Sequence, residues 1–152
     1  MTDRRIILYA EDLEDIRRIF TKYLQREFPE YDIEILNDGS ALEKRLTENI
    51  GNVATVITDN NMPGKSGTKI IKEYSKREEF LGIPFILLHA GDDYIGKTAL
   101  EDGAFAYIEK SSAPENLRMT IHYSLDPGSK DWLPESLREI SRPPSQSTRS
   151  SQ

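Results

Sequence analysis

The chain is expected to form a parallel β-sheet covered by helices on both faces, and three observations predict it. Short β-rich runs alternate with helical periodicity five times over. Two of those runs, ATVITD (54–59) and PFILLH (84–89), are almost continuously apolar or β-branched, as strands buried on both faces are. The helical stretches between the runs are long enough for the crossovers that parallel strands require.

The elements follow in order. RRIILYA (4–10) is a compact apolar run that ends in Glu11 and Asp12. Residues 14–28 space Ile16, Ile19, Phe20, Tyr23, Leu24 and Phe28 on one helical face. DIEILN (32–37) is the second strand, with Asp38-Gly39 as its turn, and Leu42 and Leu46 mark a helix over 40–49. After ATVITD a helix is expected over 66–76, and after PFILLH another from about 92 to 102, closed by Gly103. FAYIEK (105–110) is the last strand. Ser112-Ala113-Pro114-Glu115 matches a capping box with proline in the first turn, opening a helix through Leu117, Ile121 and Leu125. Pro127 and Gly128 end the pattern, so one domain is expected over 4–126. In the tail 127–152, DWLPESLREI (131–140) has the spacing of a short amphipathic helix, able to pack back on the domain or to meet a partner. The polar stretch after it cannot build a core and is expected to be disordered.

Composition removes several kinds of function. With 152 residues the chain can bury a real core without covalent staples. It has no cysteine, which excludes disulfides, thiolate catalysis and thiolate metal sites. Its two histidines, His89 and His122, argue against a multi-histidine zinc site, and nothing around His122 suggests more than a surface or packing role. A formal charge of −6 argues against non-specific contact with nucleic acid or anionic membrane. No signal peptide and no bilayer-length apolar stretch are visible, so a cytoplasmic protein is expected.

A parallel sheet sends every strand C-terminus to one edge, where ligands bind. The first strand delivers Glu11 and Asp12 there, the second Asn37 and Asp38, the third Asp59, the fourth His89 and the fifth Lys110. Like-charged carboxylates gathered at one place repel unless something compensates. Lys110 can cancel part of that charge, and a hard divalent cation such as Mg²⁺ can cancel more. A carboxylate beside both can attack an activated phosphoryl group. The plainer alternative is that each residue is only the solvated start of a loop, and that Gly64 and Gly67 only satisfy turn and packing geometry.

The acidic pair Glu11-Asp12, the stretch D59-N-N-M-P-G-K-S-G67 and the run G103-A-F-A-Y-I-E-K110 together resemble the CheY-like receiver domain of bacterial two-component response regulators. The resemblance spans roughly 4–125. It implies a flavodoxin-like sheet of five strands in the order 2-1-3-4-5, flanked by five helices. It implies that Asp59 accepts phosphoryl from a histidine kinase or histidine phosphotransfer protein. Mg²⁺ would be held by Asp12, Asp59 and the backbone carbonyl of Asn61, with Glu11 acting largely through water. Lys110 would contact the phosphoryl oxygens, Pro63 would shape the loop, and Tyr107 would be the aromatic residue that changes rotamer on activation. The surface of the fourth helix, fifth strand and fifth helix would then meet an output protein or form a homodimer.

Two positions depart from the family pattern. His89 stands where threonine or serine is usual, so weaker or rerouted coupling of phosphorylation to output is expected. Its imidazole either faces the site as a donor or is turned out of it. Ser111 replaces the proline usually joined by a cis peptide after the lysine, leaving the Lys110–Ser111 bond cis or trans. Two other readings stay in view. One is a receiver-like binding module that works without phosphorylation. The other is a small phosphatase with an aspartyl-phosphate intermediate, disfavoured because Asn61, two residues after Asp59, is not an acid.

Overall fold

The computed structural model describes residues 4–91, 93–112 and 114–126, so the segment 131–140 and the tail after it lie outside the described residues. Strands β1 (Ile6–Ala10), β2 (Asp32–Leu36), β3 (Val53–Asp59), β4 (Phe85–His89) and β5 (Ala106–Glu109) pair in parallel in the order β2-β1-β3-β4-β5. Helices α1 (Glu14–Glu27), α2 (Gly39–Leu46), α3 (Gly67–Tyr74), α4 (Asp93–Glu101) and α5 (Pro114–Leu125) connect and cover them. The fold class and strand order are those the sequence predicts.

Burial explains the order. Each strand turns alternate side chains to opposite faces. On one face Ile7, Tyr9, Ile57, Ile86 and Ile108 pack with Leu24 of α1 and Ile121 of α5. On the other, Leu8, Val56 and Leu87 pack with Leu42 of α2, Ile70 of α3 and Ala99 of α4. β3 is buried at every position because it is central and covered on both sides, whereas edge strand β2 has no fully buried residue.

Three local expectations differ from the structure. Asp38-Gly39 is not a free turn: Asp38 Oδ1 accepts from the Ala41 backbone N–H at 2.8 Å, so Asp38 caps α2 and Gly39 is its first residue. Ile16 and Ile19 do not share the buried face of α1, being 38% and 69% exposed. The apolar arc of α1 is wider than the strip the sheet covers, so its outer margin remains in solvent. A 3₁₀ turn at Glu78–Phe80, absent from the sequence reading, drives Phe80 into the core between α3 and β4. No described helix is long and apolar enough to cross a membrane.

Candidate functional site

The register of the central strands sets the site. Ala10 pairs with Thr58, so one step further Glu11 stands level with Asp59. Asp59 pairs with Leu88, which puts His89 one step beyond on β4. The Lys110 backbone N–H donates to the His89 carbonyl at 2.8 Å, carrying the sheet's bonding to the same edge. Four distant segments thus bring Glu11, Asp59, His89 and Lys110 together.

The Lys110 ammonium bridges two carboxylates, at 2.8 Å from Asp59 Oδ1 and 3.0 Å from Glu11 Oε1. Glu11 is fully buried and Asp59 is 5% exposed. Glu11, Asp12 and Asp59 each offer an oxygen, and the three atoms lie within 4.8 Å of one another. Burial raises the Glu11 carboxyl above the usual range; its bond to Lys110 opposes this, and the Asp59 charge adds to it. Burial pulls the Lys110 ammonium down, but its bonds to Asp59 and Glu11 outweigh that and hold it above its usual value. Tyr9, beneath this cluster on β1, is raised by burial and then by the charges of Glu11 and Asp59.

The flanking loops are fixed by backbone contacts. Arg17 Nη1 on α1 donates to the carbonyls of Glu11 at 2.9 Å and Asp12 at 3.3 Å, and the Leu13 N–H donates to Glu11 Oε2 at 3.3 Å. After β3, the Gly67 N–H donates to the Asn60 carbonyl and the Thr68 N–H to Asn60 Oδ1, both at 3.0 Å. Gly67 comes so close to the Asp59 carbonyl and Leu87 Cδ1 that a Cβ there would overlap both. Pro63 ties this loop to α2, its carbonyl accepting from the Gly39 N–H at 3.0 Å. Asp12, Asp59, Asn61, His89 and Lys110 all line one cleft, and Leu13 and Ile16 line it with them.

Residues 7–122 match the family model described as the response regulator receiver domain. The chain belongs to that family. Solved structures agree with this receiver over most of its length. A response regulator receiver domain protein from Clostridium thermocellum is similar at TM-score 0.73 and 25% identity, over 82% of this chain and 97% of that one. A CheY-like receiver domain protein from Methanospirillum hungatei JF-1 is similar at TM-score 0.69 and 25% identity, over 84% and 98%. The chemotaxis response regulator CheY4 of Vibrio cholerae shares the fold at TM-score 0.66 and 23% identity, over 80% and 99%. No curated protein sequence matches this receiver.

The two departures from the family pattern have definite positions. His89 is 2% exposed and does not turn out to solvent; it lines the cleft, and its ring centroid lies 5.1 Å from that of Tyr107 at a 45° tilt. Tyr107 is half-buried and sits on Gly96 of α4, where any Cβ would run into its ring. The Lys110–Ser111 peptide is trans, as no described peptide bond is cis. His122 is exposed on α5, near the ring of Tyr123.

The sequence reading passed over Asn60 and Arg17. Asn60 closes the loop after Asp59, and an asparagine just past a strand end is a recognisable signal for side chain–backbone bonding. Arg17 left no comparable signal: it bonds back to carbonyls five and six residues earlier, a geometry set by the bend between β1 and α1.

Proposed function

We propose that this receiver takes a phosphoryl group onto Asp59 from the phosphohistidine of a histidine kinase or histidine phosphotransfer protein, and signals through protein–protein contact in the cytoplasm. The observation that carries this reading is the Lys110 ammonium, held between Asp59 and Glu11 at a buried carboxylate cluster. In the transfer, an Asp59 carboxylate oxygen attacks phosphorus, the phosphorus–nitrogen bond breaks, and the imidazole departs with the bond's electron pair. Lys110 then redirects its N–H groups from carboxylate to phosphoryl oxygens, where negative charge is concentrated. Asp59 is held for this role by the Asn60–Gly67 bond behind it and by the β1 and β4 strands on either side.

The donor set fits a hard divalent cation. Three carboxylates against one ammonium leave excess negative charge, and every candidate ligand atom is oxygen. Mg²⁺ held by Asp12, Asp59 and the Asn61 carbonyl, with Glu11 acting through water, would supply neutralisation of the transferring phosphoryl oxygens. Asp59 acts as a stoichiometric acceptor and not as a turnover catalyst; loss of the group needs water to attack the acyl phosphate.

Docking of the donor is supported by the exposed apolar margin of α1. Leu13, Ile16 and Ile19 are 54%, 38% and 69% exposed, and the first two border the cleft itself. An apolar strip beside a charged cleft suits the helical face of a partner that presents its phosphohistidine at the centre. Output is assigned to the face of α4, β5 and α5, toward a target protein or a second copy. His89 and Tyr107 form the ring pair between cleft and face, in place of a short hydroxyl link.

Metal binding gives a direct test. An ion that binds only the native state at about a hundred times its Kd stabilises it by about 2.7 kcal/mol. Mg²⁺ is expected to raise the thermal midpoint of the wild type, EDTA to reverse the rise, and Asp12→Asn and Asp59→Asn each to abolish most of it. Equal rises in all three proteins would put the ion elsewhere and remove the proposed metal site.

A further inference from the structure

The bend from β1 into α1 is gathered by one residue. Arg17, in the first turn of α1, donates through Nη1 to the carbonyls of Glu11 at 2.9 Å and Asp12 at 3.3 Å. Its backbone N–H donates to the carbonyl of Leu13 at 2.8 Å. Three successive carbonyls therefore converge on Arg17, which sets the peptide planes between them.

The acids of the cleft are held in different ways. Lys110 grips the carboxylates of Glu11 and Asp59 directly, at 3.0 and 2.8 Å. Asp12 is half-buried and lines the cleft with Asp59 and Asn61, and its hold on Arg17 runs through its backbone. A carboxylate whose main chain is already fixed loses less freedom on meeting an ion. Groups behind the ligands commonly change metal affinity by about ten- to a hundredfold.

The charge of Arg17 pulls the other way. A guanidinium bonded to the Glu11 and Asp12 carbonyls stands close enough to the carboxylates to repel a cation among them. Its field reaches the cluster: at Tyr9, beneath it, Arg17 opposes the effect of the Glu11 and Asp59 charges. Position and charge make opposite contributions to cation binding, so the sign of a substitution separates them.

We propose that Arg17 is the positioning residue of the cation site, presenting the Asp12 carboxylate by drawing together the carbonyls of residues 11–13, and that this outweighs the repulsion of its own charge. The inference rests on the assignment of Mg²⁺ to Asp12, Asp59 and the Asn61 carbonyl.

The test is a Mg²⁺ titration of the full-length, EDTA-treated protein, followed by the amide chemical shifts of residues 11–12 and 59–61. Arg17→Met is expected to weaken binding by about tenfold while the metal-free amide spectrum stays that of the folded domain. Arg17→Lys, which keeps a charged donor on a shorter stem, is expected to recover part of the loss. Binding by Arg17→Met as tight as that of the wild type overturns the proposal, since a role confined to folding shifts the unfolding midpoint and leaves this constant alone. Tighter binding by Arg17→Met overturns it too, because the charge of Arg17 would then be its main effect. A wild type whose cleft amides do not respond to Mg²⁺ removes the cation assignment itself, and the proposal with it, before any variant is compared.

Discussion

Lys110→Met is expected to destabilise the metal-free domain by about 3 kcal/mol at neutral pH, with the loss shrinking as pH falls. Removing one partner of a buried ion pair costs about 3–5 kcal/mol because a charge is left uncompensated. The lower end applies because the Lys110 side chain keeps 24% of its surface exposed, while Glu11 is fully buried. The pH dependence follows from Glu11, whose carboxyl burial raises above the ordinary 4.5. A carboxyl with a raised folded pKa binds its proton more readily folded than unfolded, so this group favours the native state at low pH. That contribution is lost as pH rises from about 4.5 through the raised folded value. Without the ammonium the raised value climbs further, so the variant suffers most at neutral pH and regains stability as Glu11 is protonated. Lys110 itself has a folded pKa above 10.5, so its stabilisation of the wild type is present below 10.5 and lost as pH rises through the folded value. Urea unfolding in EDTA from pH 4 to 8 measures the effect. A penalty that does not change with pH would mean that Lys110 acts through packing of its stem and not through its charge.

Phe80→Ala is expected to cost about 3–5 kcal/mol, the range for deleting a buried aromatic ring. Phe80 is 1% exposed, with ring centroids 5.7 Å from Tyr74 and 5.9 Å from Phe85, so it joins α3 to β4 through aromatic edges. The turn that carries it is only three residues long and cannot be stable by itself. Loss of the ring therefore removes both a core contact and the anchor of the α3–β4 connection. Chemical denaturation measures the loss, and a change under about 1 kcal/mol would show that neighbouring side chains close the cavity.

Phe80 also shows where sequence reasoning stopped. Strands β3 and β4 were legible because they are buried on both faces, and that favours runs of apolar or β-branched residues such as ATVIT and FILL. A three-residue 3₁₀ turn has too few positions for any period, and Phe80 among charged residues looks like a loop. Ile16 and Ile19 fail in the opposite direction. They obey the helical period, yet period alone cannot tell how wide a strip the sheet covers. Asp38 and Gly39 form a turn signal and a helix-start signal at once, and the cap bond to Ala41 decides between them.

The site was partly legible for a similar reason. Parallel strands must release their C-termini at one edge, so Glu11, Asp12, Asp59, His89 and Lys110 could be gathered before any distance was known. What sequence could not supply was which carboxylates Lys110 would touch, because that depends on the β1–β3 register. Nor could it orient His89. The ring lies against Tyr107 because Gly96 on α4 leaves room for the tyrosine to fold inward.

The most direct test of the central claim is the intact mass of the protein after incubation with acetyl phosphate and Mg²⁺, beside Asp59→Asn and an EDTA control. The account predicts one added phosphoryl group on the wild type and none in either control. An adduct of equal yield in Asp59→Asn would contradict Asp59 as the acceptor.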